Sequence, residues 1–285
     1  MTKNKPQTIT VVGLGHIGGS LSLSLKKAFK QKLKLIGVDP NKRTLSQAKT
    51  TNKFSTLSVQ LKKSEAEISD IIFLCVSIKK IPKILQQLSQ MKLKKGAIIS
   101  DVASTKKESL KWAKKYLPKT VNFVGGHPIA GTEKSGFASA DTELFKNKTF
   151  VISGSSGSIA SVRKIASIWR ILGSTIASLS PEEHDKIFSS LSHMPHVLTF
   201  GLQKIAKSKI SKKKIEQFGG TSYKDYSRIS ASNLTLWAEI FLSNEKNIVS
   251  DIHRFTKYLS SLERAIKSKN NKKLVSIIQS KSRKP

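Results

Sequence analysis

The stretch Val11-Val12-Gly13-Leu14-Gly15-His16-Ile17-Gly18 constrains this chain more than any other. It sets G-x-G-x-x-G at the junction of an apolar, β-branched run and a helix-length segment. Glycine at these positions permits a tight turn and a close approach of backbone to a ligand, while the free N–H groups and positive dipole end of the following helix attract phosphate. A second feature completes the pattern. Asp39 closes the next strand-like run, 21 residues after Gly18, where a carboxylate accepts hydrogen bonds from ribose hydroxyls. Together they predict a dinucleotide site built from Gly13, Leu14, Gly15, His16, Ile17 and Gly18, with Asp39 on the ribose and with Val76 and Ser77 contributing from the end of a later strand. A 2′-phosphate would meet like charge at Asp39, which favours NAD over NADP; Lys42 and Arg43 nearby weaken that preference.

The run that precedes the glycines is the first of several. Thr8 to Leu14, Leu33 to Val38, Asp70 to Val76, Ala97 to Val102, Val121 to Gly125, Thr149 to Ser153 and Thr175 to Leu179 read as strands. Gly18 to Phe29, Asn41 to Thr50, Ile81 to Met91, Thr105 to Tyr116 and Ile159 to Leu172 read as helices between them. Strands alternating with helices mean parallel pairing, so residues 1–180 are expected to form a Rossmann-type, doubly wound, mostly parallel α/β sheet. Beyond this the β signal largely disappears. Ser180-Pro181-Glu182-Glu183 has the form of a helix start, with Ser180 as cap and proline in the first turn. Residues 181–285 are then expected to be an all-α domain, broken at Phe218 to Thr221 and near Asn270-Asn271. No internal repeat is present.

Composition narrows the class further. The longest apolar runs, such as Ile71 to Val76, fall far short of the roughly 18 residues a spanning helix needs, and no signal-type cleavage pattern follows Met1 to Pro6, so a cytoplasmic protein is expected. The single cysteine, Cys75, excludes an intrachain disulfide and sits in an apolar run, where it behaves as a small hydrophobe. A net charge of +33 raises nucleic acid as a partner. The lysines are spread along the whole chain, without interleaved aromatics to stack bases, so a solvated surface that favours anionic small molecules fits better.

Two more stretches place polar groups at strand ends, the edge where parallel sheets bind ligands. Asp101-Val102-Ala103-Ser104-Thr105-Lys106 ends one strand, and Gly125-Gly126-His127-Pro128-Ile129-Ala130-Gly131-Thr132-Glu133 ends the next. Pro128 pushes His127 toward extended backbone, and the two glycines before it are expected to leave open space around its ring. That position suits a catalytic base, though an isolated histidine in such a turn is as readily a structural group. No metal is called for.

Val12 to Ser20, Asp101 to Ser104, Gly125 to Gly136, Ser192-His193-Met194-Pro195-His196 and Phe218 to Arg228 together resemble the prephenate dehydrogenase family, in its monofunctional form. G-G-H-P-I-A-G-T-E-K-S-G is the most specific of these words. The resemblance implies oxidative decarboxylation of prephenate to 4-hydroxyphenylpyruvate in tyrosine biosynthesis, with hydride passing to NAD; arogenate dehydrogenase is the alternative. It implies that His127 accepts the hydroxyl proton and Ser104 orients that hydroxyl. Arg228 then binds a substrate carboxylate, although pairing with a neighbour such as Asp225 is an alternative use for it. His196 and Trp237 are implied at the substrate pocket, with Gly220 and Thr221 allowing close approach, while His193 reads as structural. Members of the family pair through the helical domain, and Leu234 to Leu242 is apolar on more than one face, as a homodimer interface or an intrachain core would be.

Overall fold

Unbroken burial along the first strands shows why a sheet covered on both faces forms. In a computed structural model describing residues 7–131 and 134–279, β1 (Thr8–Val12) and β4 (Ile71–Leu74) are wholly buried. Ile9, Val11, Ile71 and Phe73 point into one core, and Val12, Ile72 and Leu74 into the other. Successive side chains of a strand lie on opposite faces, so a strand buried on both sides is apolar except where a polar group finds a partner, as the Thr10 hydroxyl does with Ser69 at 2.7 Å.

The other strands are β2 (Lys34–Val38), β3 (Thr56–Ser58), β5 (Ile98–Asp101), β6 (Asn122–Pro128), β7 (Thr149–Ser155) and β8 (Thr175–Leu179). They make one eight-stranded sheet in the order β3-β2-β1-β4-β5-β6-β7-β8. The helices of this part are α1 (His16–Phe29), α2 (Lys42–Thr50), α3 (Lys63–Glu67), α4 (Ile81–Ser89), α5 (Lys107–Tyr116) and α6 (Ile159–Ile171). Leu21 and Leu25 of α1 and Trp169 of α6 fill the first core; Leu85 and Leu88 of α4 and Ala113 of α5 fill the second.

One feature departs from the reading of the sequence, and another gives the expected mostly parallel sheet its detail. β3 was not among the expected strands, because three residues are too few to display a period. β7 runs antiparallel to β6, and β8 parallel to β7, so the sheet is mostly but not wholly parallel. Among its described residues the segment joining β6 to β7 has a short turn of helix at Phe137–Ser139 and no crossover helix, and the chain returns antiparallel.

The chain then becomes helical. Pro181 opens α7 (Pro181–Phe188), whose cap is Ser180 accepting from Glu183 N at 3.2 Å. A wider π turn, Ser189–His193, leads to α8 (Met194–Lys209), followed by α9 (Lys212–Phe218), α10 (Thr221–Ser230), α11 (Leu234–Ser243), α12 (Glu245–Lys267) and α13 (Asn271–Ile278). The breaks fall at Gly219-Gly220 and before Asn271, where Asn270 caps α13 by accepting from Lys273 N at 2.9 Å. Among the described residues no helix is long and apolar enough to cross a membrane.

Candidate active site

The strand order reverses between β1 and β4, and the crevice at that switch point is where open α/β sheets receive nucleotides. The glycine loop lies there. Gly13 takes φ +92°, a conformation that side chains rarely adopt, and a Cβ on it would strike the carbonyl of Cys75 and the Val76 side chain. A Cβ on Gly18 would strike the carbonyl of Gly13, so α1 can pack this closely on the turn only because position 18 is bare. Cys75 and Val76, with Ser77 next in the chain, face the loop from the end of β4, and burial pushes the Cys75 thiol well above its ordinary range, leaving it unreactive.

No side chain caps the first turn of α1. Its N–H groups are therefore offered to a ligand, next to Gly15, which has open space around its Cα. Asp39 holds this loop to β2 by accepting from Leu14 N at 2.8 Å and Asn41 N at 2.9 Å. It is half-buried, just past the end of β2. His16, next in the loop, donates from Nδ1 to the carbonyl of Ser139 at 2.7 Å. The loop, the uncapped helix and the carboxylate fit a dinucleotide.

His127 stands at the carboxyl end of β6. Its backbone is extended, as Pro128 predicts, but the space around the two glycines is not open. A Cβ on Gly125 would meet the carbonyl of Ser153, and one on Gly126 the ring of Phe150. The glycines let β6 lie tightly against β7 through a register shift between Val124 and Gly126. They fix His127 by crowding its backbone from below.

The ring of His127 packs edge-on against Phe188, centroids 4.8 Å apart, and its Nδ1 lies 2.9 Å from Nε2 of His184. His184 in turn places Nδ1 2.8 Å from Oδ1 of Asp185. That carboxylate caps α5 by accepting from Lys106 N at 2.7 Å and Lys107 N at 3.0 Å. Beneath lies an ion pair with no solvent exposure: Lys106 Nζ is 2.5 Å from Asp101 Oδ2 and 2.6 Å from the Gly126 carbonyl. Burial pushes the Lys106 ammonium below its usual range, and Asp101 opposes the shift. Burial first, then the neighbouring His184, Lys106 and His193, hold His127 well below its ordinary pKa, so the imidazole is neutral at cellular pH.

The helical part adds two further histidines. His193 is buried, with Nδ1 3.0 Å from Nδ2 of Asn244, and burial pushes it down to about 4. His196 donates from Nδ1 to the Ser192 carbonyl at 2.9 Å and stacks on Trp237 with centroids 3.4 Å apart. The helical part is tied to the sheet at this same edge: Thr105 and Ser243 hydroxyls lie 3.0 Å apart, and Asn244 Nδ2 donates to the Asp185 carbonyl at 2.7 Å. Among the described residues no group of three His, Cys, Asp or Glu side chains is placed to hold a metal ion.

Of the residues singled out from the sequence, the structure brings His127 near His193 and joins His196 to Trp237. Ser104 is half-buried in the loop between β5 and α5, three residues beyond Asp101. Gly220, Thr221 and Arg228 lie on the exposed surface of the single chain at and along α10, which packs on the α8 helix that carries His196. Thr132 and Glu133 fall outside the described residues. Sequence reading assigned no role to Lys106, His184, Asp185 or Asn244. The one available signal was an acid and a lysine, Asp101 and Lys106, flanking the end of a buried strand.

A doubly wound sheet reversing at a glycine-rich turn, with a neutral imidazole at the adjoining strand end and a helical domain behind it, defines a nicotinamide-dependent dehydrogenase. Comparison with known proteins specifies which kind. Residues 21–178 match the family model of the prephenate dehydrogenase nucleotide-binding domain, and residues 180–280 that of the prephenate dehydrogenase dimerization domain. The chain belongs to the prephenate dehydrogenase family. It is 31% identical to a prephenate dehydrogenase of Lactococcus lactis over 89% of this chain and 70% of that protein. It is 28% identical to a cyclohexadienyl dehydrogenase of Zymomonas mobilis, over 92% and 89% of the two chains. Among solved structures, prephenate dehydrogenase from A. aeolicus in complex with hydroxyphenyl propionate and NAD+ superposes with a TM-score of 0.87 at 28% identity, covering 97% of this chain and 96% of that one. Synechocystis arogenate dehydrogenase gives 0.77 at 28% identity, covering 95% and 96%.

Proposed function

We propose that the protein catalyses the NAD-dependent oxidative decarboxylation of prephenate to 4-hydroxyphenylpyruvate, a step of tyrosine biosynthesis, in the cytoplasm and as a homodimer. The observation that carries this reading is the placement of the His127 imidazole at the carboxyl end of β6, backed by His184 at 2.9 Å. Prephenate bears a hydroxyl on C4 of a cyclohexadiene ring and a carboxylate on the opposite ring carbon. When bound, the nicotinamide accepts the hydride that leaves C4. His127 takes the hydroxyl proton as the C4 carbonyl forms, and Ser104 orients the hydroxyl. The ring carboxylate then departs as carbon dioxide, and its bonding electrons complete the aromatic ring. Arg228 supplies a guanidinium that can hold a carboxylate through two parallel hydrogen bonds, with His196, Trp237, Gly220 and Thr221 shaping the same pocket. Asp39 supports NAD over NADP, since a 2′-phosphate would be repelled there.

Arogenate is the second substrate to weigh, because an arogenate dehydrogenase resembles this chain at the same 28% identity. The decisive measurement is the rate of reduced-cofactor production with each substrate and each cofactor. Prephenate with NAD is expected to be fastest, and a faster arogenate reaction would reverse the assignment. His127→Asn is expected to lower kcat by roughly 10²- to 10⁴-fold while NAD still binds. Unchanged turnover would remove His127 from its role. Arg228→Gln is expected chiefly to raise KM for substrate.

A further inference from the structure

Which nitrogen of His127 does the work is decided by hydrogen bonds that run away from the substrate. Both carboxylate oxygens of Asp185 accept backbone N–H groups at the start of α5, and Oδ1 also faces Nδ1 of His184 at 2.8 Å. A carboxylate in that position only accepts, so Nδ1 of His184 must carry the proton and donate. In a neutral ring its Nε2 is then a lone pair. Facing that lone pair at 2.9 Å, Nδ1 of His127 must donate in its turn. The base is left with an unprotonated Nε2.

We propose that His184 and Asp185 are positioning residues that lock His127 into this tautomer and draw off the charge it acquires. The proposal deepens the reading of His127 as proton acceptor and depends on it. It also resolves a difficulty in that reading. Burial disfavours an imidazolium at His127, and Lys106, His184 and His193 all add to the penalty. Within the chain the charge need not stay there. The hydroxyl proton of the substrate goes to Nε2 of His127, the proton on Nδ1 of His127 passes to Nε2 of His184, and His127 ends neutral with its proton on the other nitrogen. The positive charge comes to rest on His184, in contact with the Asp185 carboxylate. Burial holds the His184 pKa below its ordinary value and Lys106 adds to this, while the hydrogen bond and charge of Asp185, and the charge of Asp101, oppose the shift and favour the charged ring. Asp185 is held rigidly for this, by two N–H groups of α5 on its side chain and by Asn244 on its carbonyl.

The test begins with the ligand-free enzyme, using 15N NMR to assign the ring nitrogens of His127. Expected is a protonated Nδ1 and an unprotonated Nε2; the opposite tautomer overturns the proposal whatever the substrate proves to be. His184→Phe fills the same space without hydrogen bonds. It should let both tautomers of His127 appear and lower kcat about 10²-fold, with KM and NAD affinity changed by no more than about threefold. His184→Gln, whose side-chain carbonyl can still accept from Nδ1, should restore the single tautomer and recover much of kcat. Full activity in a folded His184→Phe enzyme would overturn the relay. Wild-type enzyme inactive on both prephenate and arogenate would overturn the functional reading instead, a result separate from the tautomer measurement.

Discussion

Trp169 and Trp237 sit in opposite surroundings. Trp169 has no solvent exposure, stacks on Phe150 with centroids 4.0 Å apart, and meets Phe145 and Phe73 edge-on. Trp237 is half-buried against His196 and Phe241, and the apolar residues flanking it on α11, Leu234, Leu236 and Leu242, are 68%, 41% and 77% exposed. The contrast extends to the two parts of the chain. Among the described residues of the sheet part, the large apolar side chains left exposed are Val59, Ile68, Ile159 and Ile171. In the helical part exposure is the rule, from Leu191 to Ile278, and Met194, Ile240, Ile248 and Ala265 are its buried apolar residues. A groove of about 340 Å³, lined by Val197, Phe200, Phe241, Val249 and Ile252 among others, lies open beside the His196–Trp237 stack. The sheet closes its own core, whereas the helices present a face that needs another surface. A contiguous apolar surface of this kind marks an interaction site, and pairing of two helical domains would cover it.

The largest expected effect tests the closed side of this contrast. Lys106→Met strands Asp101 in the core without its partner and should cost about 3–5 kcal/mol in denaturant unfolding, as should Trp169→Ala. A loss below about 1 kcal/mol in either would mean that the sheet part is looser than its burial suggests.

Acid should weaken the domain junction next. A histidine buried in its neutral form binds a proton more weakly folded than unfolded. Its contribution is therefore complete above about pH 6.5 and is lost as pH falls toward its folded value. His193, pushed to about 4, accounts for roughly 3 kcal/mol of such dependence, with His127, His184 and His196 adding in the same direction. A melting temperature flat from pH 7 to pH 4.5 would contradict this. Catalysis should likewise stay level through neutral pH, with its acid limb well below 6.5.

Leu242→Asp should separate the two halves of the comparison, splitting a dimer into monomers in light scattering and speeding hydrogen exchange in α11 and α12 but not in β1 or β4. Each apolar side chain it uncovers is worth about 1.5–3 kcal/mol of association. If the variant remains dimeric, that face is covered in some other way. Ile159→Ala, 72% exposed on the sheet part, serves as the control and should change stability by no more than about 0.5 kcal/mol.

The proposed dinucleotide half of the site could be read from the sequence because its parts are local. Gly13 to Gly18 and Asp39 belong to one β-α-β unit, whose geometry sets where each residue falls. In the proposed catalytic half the words around His127 and Ser104 singled those two residues out. Lys106, His184, Asp185 and Asn244 carry no spacing that marks them, since each acquires its role from a partner on a different element. Likewise the glycines before His127 suggested room, and only the pairing of β6 with β7 shows that they are crowded.

From its own order of residues the chain settles what depends on neighbours a few positions apart: the alternation of strands and helices, the phosphate-binding turn, the cap at Ser180. Tertiary structure alone decided that β7 reverses direction, that a lysine lies wholly buried against Asp101, and that His127 is backed by a second histidine and an acid. The reason is physical. Periodicity and turn chemistry act over single elements, whereas burial and hydrogen-bond partnership arise where elements meet, and it is these that determine which imidazole is neutral and which of its nitrogens is bare.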